Sequence, residues 1–141
     1  MSGRLEPPSG HPPPERAATP AGELDLVALA AEVCDRYRAE YPDERGRYGD
    51  AGTAWCRHDN QWLLAWAVAD VHAGHLSLLD QVAWLARVLE ARDFPLDRLA
   101  RNLDIDGDVV TERAGDAPLA DRLREAGAFV RAHGTFLSQT G

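Results

Sequence analysis

The sequence predicts an all-α fold: a single bundle of four to five helices behind a disordered, proline-rich N-terminal tail. Three observations lead there. From about residue 23 to 133, apolar residues recur at three- and four-residue spacing in successive blocks. Recognisable helix starts and stops separate those blocks. No stretch of useful length alternates polar with apolar, and there is no internal repeat. The expected organisation is a tail over 1–21, a bundle over 22–133 and a frayed end over 134–141.

The tail carries Pro7, Pro8, Pro12, Pro13, Pro14 and Pro20 and few large apolar side chains. Such a segment has too little apolar surface to offset its ordering entropy. The first helix is expected over about 23–41, with Leu26, Ala30, Val33 or Cys34, Tyr37 and Tyr41 on one stripe and Pro42 ending it. Residues 42–50 read as a polar loop.

A second helix is expected over about 51–73. At about 100° per residue, Trp55, Asp59, Trp62, Trp66, Ala69 and Ala73 fall close to one line. Cys56, Leu63, Leu64, Ala67 and Val71 cover the adjoining arc, leaving a narrow polar edge of Arg57, His58, Gln61 and His72. A helix apolar around most of its circumference belongs in the middle of a bundle. Gly74 closes it.

The third helix follows over about 78–92, with Ser77 and Asp80 at capping-box spacing and Leu78, Val82, Leu85 and Leu89 as its core stripe. Asp93-Phe94-Pro95 breaks it, and Pro95 opens a short fourth helix carrying Leu96, Leu99 and Leu103. Asp116 is the expected N-cap of a fifth helix over about 117–132, with Leu119, Leu123, Ala126 and Val130 inward and Gly134 as its stop.

The chain of 141 residues is enough for one domain, with 45% hydrophobic and 27% charged residues. Its net charge is −8, and all 15 basic residues are arginine. That acidic balance argues against nucleic acid and anionic membranes as partners, because both are bound mainly through basic surface. No apolar run approaches the about twenty residues of a membrane span, and no signal peptide is recognisable at the start. The expectation is a cytoplasmic protein whose two cysteines, Cys34 and Cys56, are reduced.

Asp59 stands among Trp55, Trp62 and Trp66 on one helical face. A carboxylate withdrawn from water needs a partner or becomes protonated. Two roles follow: a structural anchor between helices, or the polar group of an aromatic ligand pocket formed by Trp55, His58, Asp59, Trp62 and Trp66. Metal or haem binding is the alternative, drawing on Cys34, Cys56, His58, His72 and His75. His58 and His72 are about 20 Å apart along one helix and cannot share an ion. HExxH, ExxH and CxxCH patterns are absent. Asn102, Asp104 and Asp106, followed by Gly107 and Asp108, resemble the start of a calcium loop, but the twelfth position is Arg113 where a bidentate carboxylate belongs. No nucleotide-binding loop or nucleophile elbow is present, so an enzyme is the minority reading.

The run WCRHDNQWLLAWAV from Trp55, followed by LLDQVAWLARVLEARDFPLDRLARNL up to Leu103, is similar to helical sensor or regulatory modules. Such modules occur beside cobalamin-binding domains and in stress-response regulators of bacteria. The chain lacks the D-x-H-x-x-G segment that supplies a cobalamin ligand, so the resemblance implies an accessory bundle and not cobalamin binding. The expected function is a non-catalytic regulatory or ligand-sensing bundle. It would act on a small hydrophobic ligand, or through a protein partner or homodimer. A structural module docking a partner through its third helix is the remaining alternative.

Overall fold

The computed structural model describes residues 12–137. Five helices account for most of it: α1 (Leu26–Glu40), α2 (Glu44–Val68), α3 (Leu78–Ala91), α4 (Leu96–Arg113) and α5 (Ala117–His133). A two-stranded antiparallel hairpin, β1 (Arg16–Thr19) and β2 (Gly22–Asp25), precedes them. The expected bundle is therefore present, but it is not purely helical. The hairpin replaces the end of the expected tail and also the expected start of the first helix, which begins at Leu26 and not near residue 23; residues 1–11 lie outside the described residues. Strands of four residues offer too few positions for an alternating pattern to be counted. The hairpin is attached at both ends: Leu26 N donates to Glu15 O (2.9 Å), and Gln61 Nε2 on α2 donates to Pro14 O (3.1 Å).

The second half of α2 is the rod at the centre of the fold. Every residue from Trp62 to Val68 is buried, so the helix touches protein on all sides. Beyond Val68 it widens into a π-helical turn (Ala69–Ala73), which Gly74 ends in the left-handed conformation (φ 71°) that a side chain would disfavour. The first half of α2 differs. Its backbone breaks at Gly49 (φ 63°, ψ −156°), and a helical turn ahead of the break occupies residues expected to form a loop.

Local signals set the other helix ends. Asp25, Ser77 and Asp116 cap α1, α3 and α5, accepting from the backbone N–H of Ala28, Asp80 and Leu119 respectively. The fourth helix is not short. It runs as α4 straight through residues 102–109, because Leu99, Leu103, Val109 and Val110 continue one buried stripe. It packs most closely against α5, where Gly107 faces the Ala120 carbonyl and Gly127 faces the Ala100 carbonyl. The end expected to fray is partly ordered. Phe136 is 1% exposed, stacks on His133 and donates its N–H to Glu90 Oε1 (2.7 Å). Residues 138–141 lie outside the described residues.

Interhelical arginine–carboxylate pairs lace the outside: Arg36 with Glu112, Arg101 with Glu40, Arg122 with Asp70 and Arg131 with Asp104. The solvent-exposed pairs among these contribute little, whereas Arg122–Asp70 is partly buried. Among the described residues, no helix is long and apolar enough to cross a membrane.

Candidate functional site

A cleft of about 510 Å³ lies between the first half of α2 and α3, with α4 beneath. Tyr48, Trp55 and Cys56 form one wall, Trp84, Leu85 and Val88 the other, and Phe94 stands at the connection into α4. Asn60 and Asn102 lie at the floor; His58, Asp59 and Arg92 bring ionisable groups to the lining. The size and the mixture of apolar wall with few polar groups are those of small-molecule sites, which run roughly 300–1,000 Å³.

Of the five residues expected to form a pocket, the structure brings together three. Trp55, His58 and Asp59 line the cleft; Trp62 and Trp66 do not. Those two are core, 6% and 1% exposed, with ring centroids 6.0 Å apart. Trp55 is 55% exposed. The shared helical face is real, but the bundle covers only its C-terminal half. Asp59 is correspondingly not enclosed by indoles. Its side chain is 33% exposed and its Oδ1 lies 3.2 Å from His58 Nδ1. The expectation of a buried acid at position 59 is overturned.

The buried acid is Asp106, fully inaccessible on α4. Two side chains link it to α2. Asn60 and Asn102 exchange amide hydrogen bonds (Asn60 Nδ2 to Asn102 Oδ1, 3.1 Å; Asn102 Nδ2 to Asn60 Oδ1, 2.7 Å), and Asn102 Nδ2 also donates to Asp106 Oδ2 (3.2 Å). Asp106 Oδ1 has no partner among the described residues. With no cation to offset it, desolvation drives the Asp106 carboxyl well above the ordinary range, which favours its neutral form.

That state carries a sign. A carboxyl whose pKa is raised by folding supports the native state fully below its unfolded pKa. It loses that support as pH climbs toward the folded value. Asp106→Asn, which does not titrate, is therefore expected to raise the melting temperature relative to wild type at pH 8. The gap should close toward pH 4, as measured by thermal denaturation across that range. A gap independent of pH would remove the protonated-acid assignment.

The calcium-loop reading fails on geometry. Residues 102–109 are helical, and side chains two apart on a helix point to opposite sides. Asn102 and Asp106 face inward, whereas Asp104 pairs with Arg131 (2.6 Å) and Asp108 with Arg124 (3.0 Å). Four oxygens dispersed in this way cannot converge on one ion.

The histidines and cysteines are equally dispersed. His72 Nε2 lies 2.7 Å from Asp116 Oδ2, joining the π-helical turn to the N-cap of α5. No group of three or more His, Cys, Asp or Glu among the described residues is placed to hold a metal. Cys34 on α1 and Cys56 on α2 are joined in a disulfide, their Cα atoms 6.0 Å apart. This overturns the expectation of two reduced thiols. The two sit on facing stripes of adjacent helices, and both accept from Asn60 Nδ2 (3.6 Å to Cys34 Sγ, 3.5 Å to Cys56 Sγ).

The sequence reading missed Tyr48, Asn60, Trp84, Phe94 and Asn102 as lining residues. Asn60 was within reach: it shares a helical face with Cys56, Leu63, Leu64 and Ala67, so an amide was due to be buried in the bundle. Tyr48 and Phe94 fall in segments expected to be connections. Their rings meet, centroids 6.0 Å apart, only because the chain folds two turns against each other.

Fold and site together define a helical bundle with a lateral aromatic cleft and a buried amide–acid relay beneath it. No protein-family model, no curated protein and no solved structure matches the chain.

Proposed function

We propose that the protein is a non-catalytic ligand-sensing or regulatory bundle whose cleft takes a small, mainly apolar, planar ligand. One observation carries this reading: an aromatic-walled cleft of about 510 Å³ lined mainly by apolar side chains. Planar rings suit walls built of Trp55, Trp84, Tyr48 and Phe94, since offset and edge-on ring contacts add to area burial. Asn60 and Asn102 are the buried polar groups of its lining. Their amides are oriented by each other, so a ligand would meet a preorganised floor. The likeness of residues 55–103 to sensor and regulatory modules supports the same reading. A metal or haem role finds no support in the arrangement of Cys34, Cys56, His58, His72 and His75.

The test uses the tryptophans already present. Titration with 1-anilinonaphthalene-8-sulfonate, indole and benzamide is expected to quench Trp55 and Trp84 while leaving Trp62 and Trp66 unaffected. Comparison of Trp55→Phe and Trp84→Phe with wild type separates the two pairs. Val88→Trp, placing a bulky ring on the half-buried α3 wall, is expected to weaken probe binding at least about tenfold, or 1.4 kcal/mol, without loss of helix content. Absence of quenching and of any thermal shift at millimolar concentrations of all three probes would discard the ligand site. A concentration-dependent doubling of mass would then favour a protein interface.

A further inference from the structure

The wall of the cleft formed by α2 is held unlike the rest of the bundle. From Glu44 to Asp59 no residue of α2 is buried; the first is Asn60. At its outer end the segment is tied by polar contacts, Tyr37 Oη donating to Glu44 Oε2 (2.8 Å) and Arg98 pairing with Glu44 (2.8 Å) and Asp43 (3.0 Å). Between that end and Asn60 the covalent link is Cys34–Cys56, which fastens the wall to α1. Stretches with few buried apolar contacts sit at the low end of a protein's local stability.

The two sulfurs are not equivalent. Cys34 is fully buried, whereas Cys56 is partly exposed and lines the cleft. A nucleophile entering by the cleft meets Cys56 first. Asn60 Nδ2, held by the Cys56 carbonyl (2.9 Å) and Asn102 Oδ1 (3.1 Å), lies 3.6 Å from Cys34 Sγ and 3.5 Å from Cys56 Sγ.

We propose that Cys34–Cys56 is a reversible latch on the cleft wall, opened by a low-molecular-weight thiol that enters through the cleft and attacks Cys56. The thiolate RS⁻ bonds to Cys56 Sγ and the sulfur–sulfur bond breaks. The electron pair leaves on Cys34 Sγ, beside the Asn60 N–H. A second RS⁻ then attacks the RS sulfur of the mixed disulfide, releasing RSSR and leaving Cys56 as the thiolate. With two protons taken up, the balance is two RSH and one protein disulfide giving RSSR and two protein thiols. Residues 44–59 then lose their covalent tie to α1 and the wall opens. The purpose of the latch, control of access to the ligand cleft, rests on the function proposed above; its mechanics do not.

The experiment uses the full chain, oxidised and after treatment with reduced glutathione, with amide hydrogen exchange followed by mass spectrometry. Reduction is expected to speed exchange at least tenfold across 44–59 and to leave 62–68, α4 and α5 within twofold. Unchanged exchange across 44–59, or a uniform rise over the whole chain, would overturn the latch. Attack at Cys56 is tested separately with oxidised glutathione: Cys34→Ser is expected to acquire one glutathione on Cys56, and Cys56→Ser to stay unmodified at Cys34. Equal labelling of both variants overturns the assignment of the attacked sulfur. The Cys34→Ser, Cys56→Ser double variant should reproduce the reduced exchange pattern; if it fails to fold, reduced wild type still gives the decisive reading. No ligand enters these measurements, so probe binding that fails in both redox states counts against the ligand site alone.

Discussion

Trp66→Ala is expected to destabilise the domain by about 3–5 kcal/mol, the range for truncating a buried tryptophan. For a domain of this size that lowers the melting temperature by about 10–20 °C. Trp66 is 1% exposed, sits in the run of α2 that is buried on all sides and packs its ring against Trp62. Its removal opens a cavity at the centre of the fold, into which the surrounding side chains relax only partly. The indole N–H of Trp66 has no hydrogen-bond partner among the described residues. Trp66→Phe is therefore expected to be far milder, of the order of 1 kcal/mol, since it keeps most of the ring and removes a donor that is unsatisfied. Urea and thermal denaturation of both variants measure this. An alanine variant melting within about 2 °C of wild type is incompatible with Trp66 at the centre of the core.

Gly127→Val and Gly107→Val are expected to be the next most damaging changes, each costing about 1–3 kcal/mol or more through overpacking. The reason is the approach of α4 to α5. A Cβ at Gly127 would stand 2.7 Å from Asp104 Oδ1 and 3.0 Å from the Ala100 carbonyl oxygen. At Gly107 it would stand 2.8 Å from Arg124 Cγ and 3.1 Å from the Ala120 carbonyl oxygen. Side-chain tips can turn away; backbone carbonyls of a packed helix cannot. The two helices must separate, and Asp104–Arg131 and Asp108–Arg124 stretch with them. Gly46→Ala is the control, since a Cβ there meets nothing within 4 Å. It is expected to be neutral or stabilising by up to about 1 kcal/mol, as alanine is the better helix former. Equal behaviour of the three variants in chemical denaturation would refute close α4–α5 contact.

Helices and their ends were legible because their signals are local. Leu78, Val82 and Leu85 declare the buried stripe of α3 at i, i+4 and i+7, and Ser77 and Asp116 announce caps within three residues of the N–H they accept from. The helical spacing also placed α2 centrally. It could not say where along α2 the cover of neighbouring helices begins. Trp55, Trp62 and Trp66 occupy one face by arithmetic, yet Trp55 reaches the rim of a cleft while the other two enter the core.

Acid placement shows the same division. Asp59 shares a helical face with Trp55, Trp62 and Trp66, whereas Asp106 sits in an acidic run between Ile105 and Gly107, so helical spacing pointed to Asp59. Burial is decided by what arrives from elsewhere in the chain. Little covers the first half of α2, so Asp59 keeps water, whereas α4 is covered on the side of Asp106 and that carboxyl loses water altogether. The acidic run around Gly107 invited a loop for a similar reason: composition suggested a turn, while the contact of Gly107 with α5 made it part of a helix.

The sequence alone determined the helical class, the caps Ser77 and Asp116, the central position of α2 and the acidic composition with arginine as its only strong base, since each depends on residues within a few positions of one another or on bare composition. Only the tertiary structure decided the Cys34–Cys56 bond, the Asn60–Asn102–Asp106 relay and the aromatic cleft. Cys34–Cys56 and Asn60–Asn102 join residues 22 and 42 positions apart on two helices, and the cleft draws its lining from α1, α2, α3 and α4. The physical reason is that helix periodicity fixes the direction of a side chain around its own axis, and leaves open which neighbour, or how much water, it will meet there.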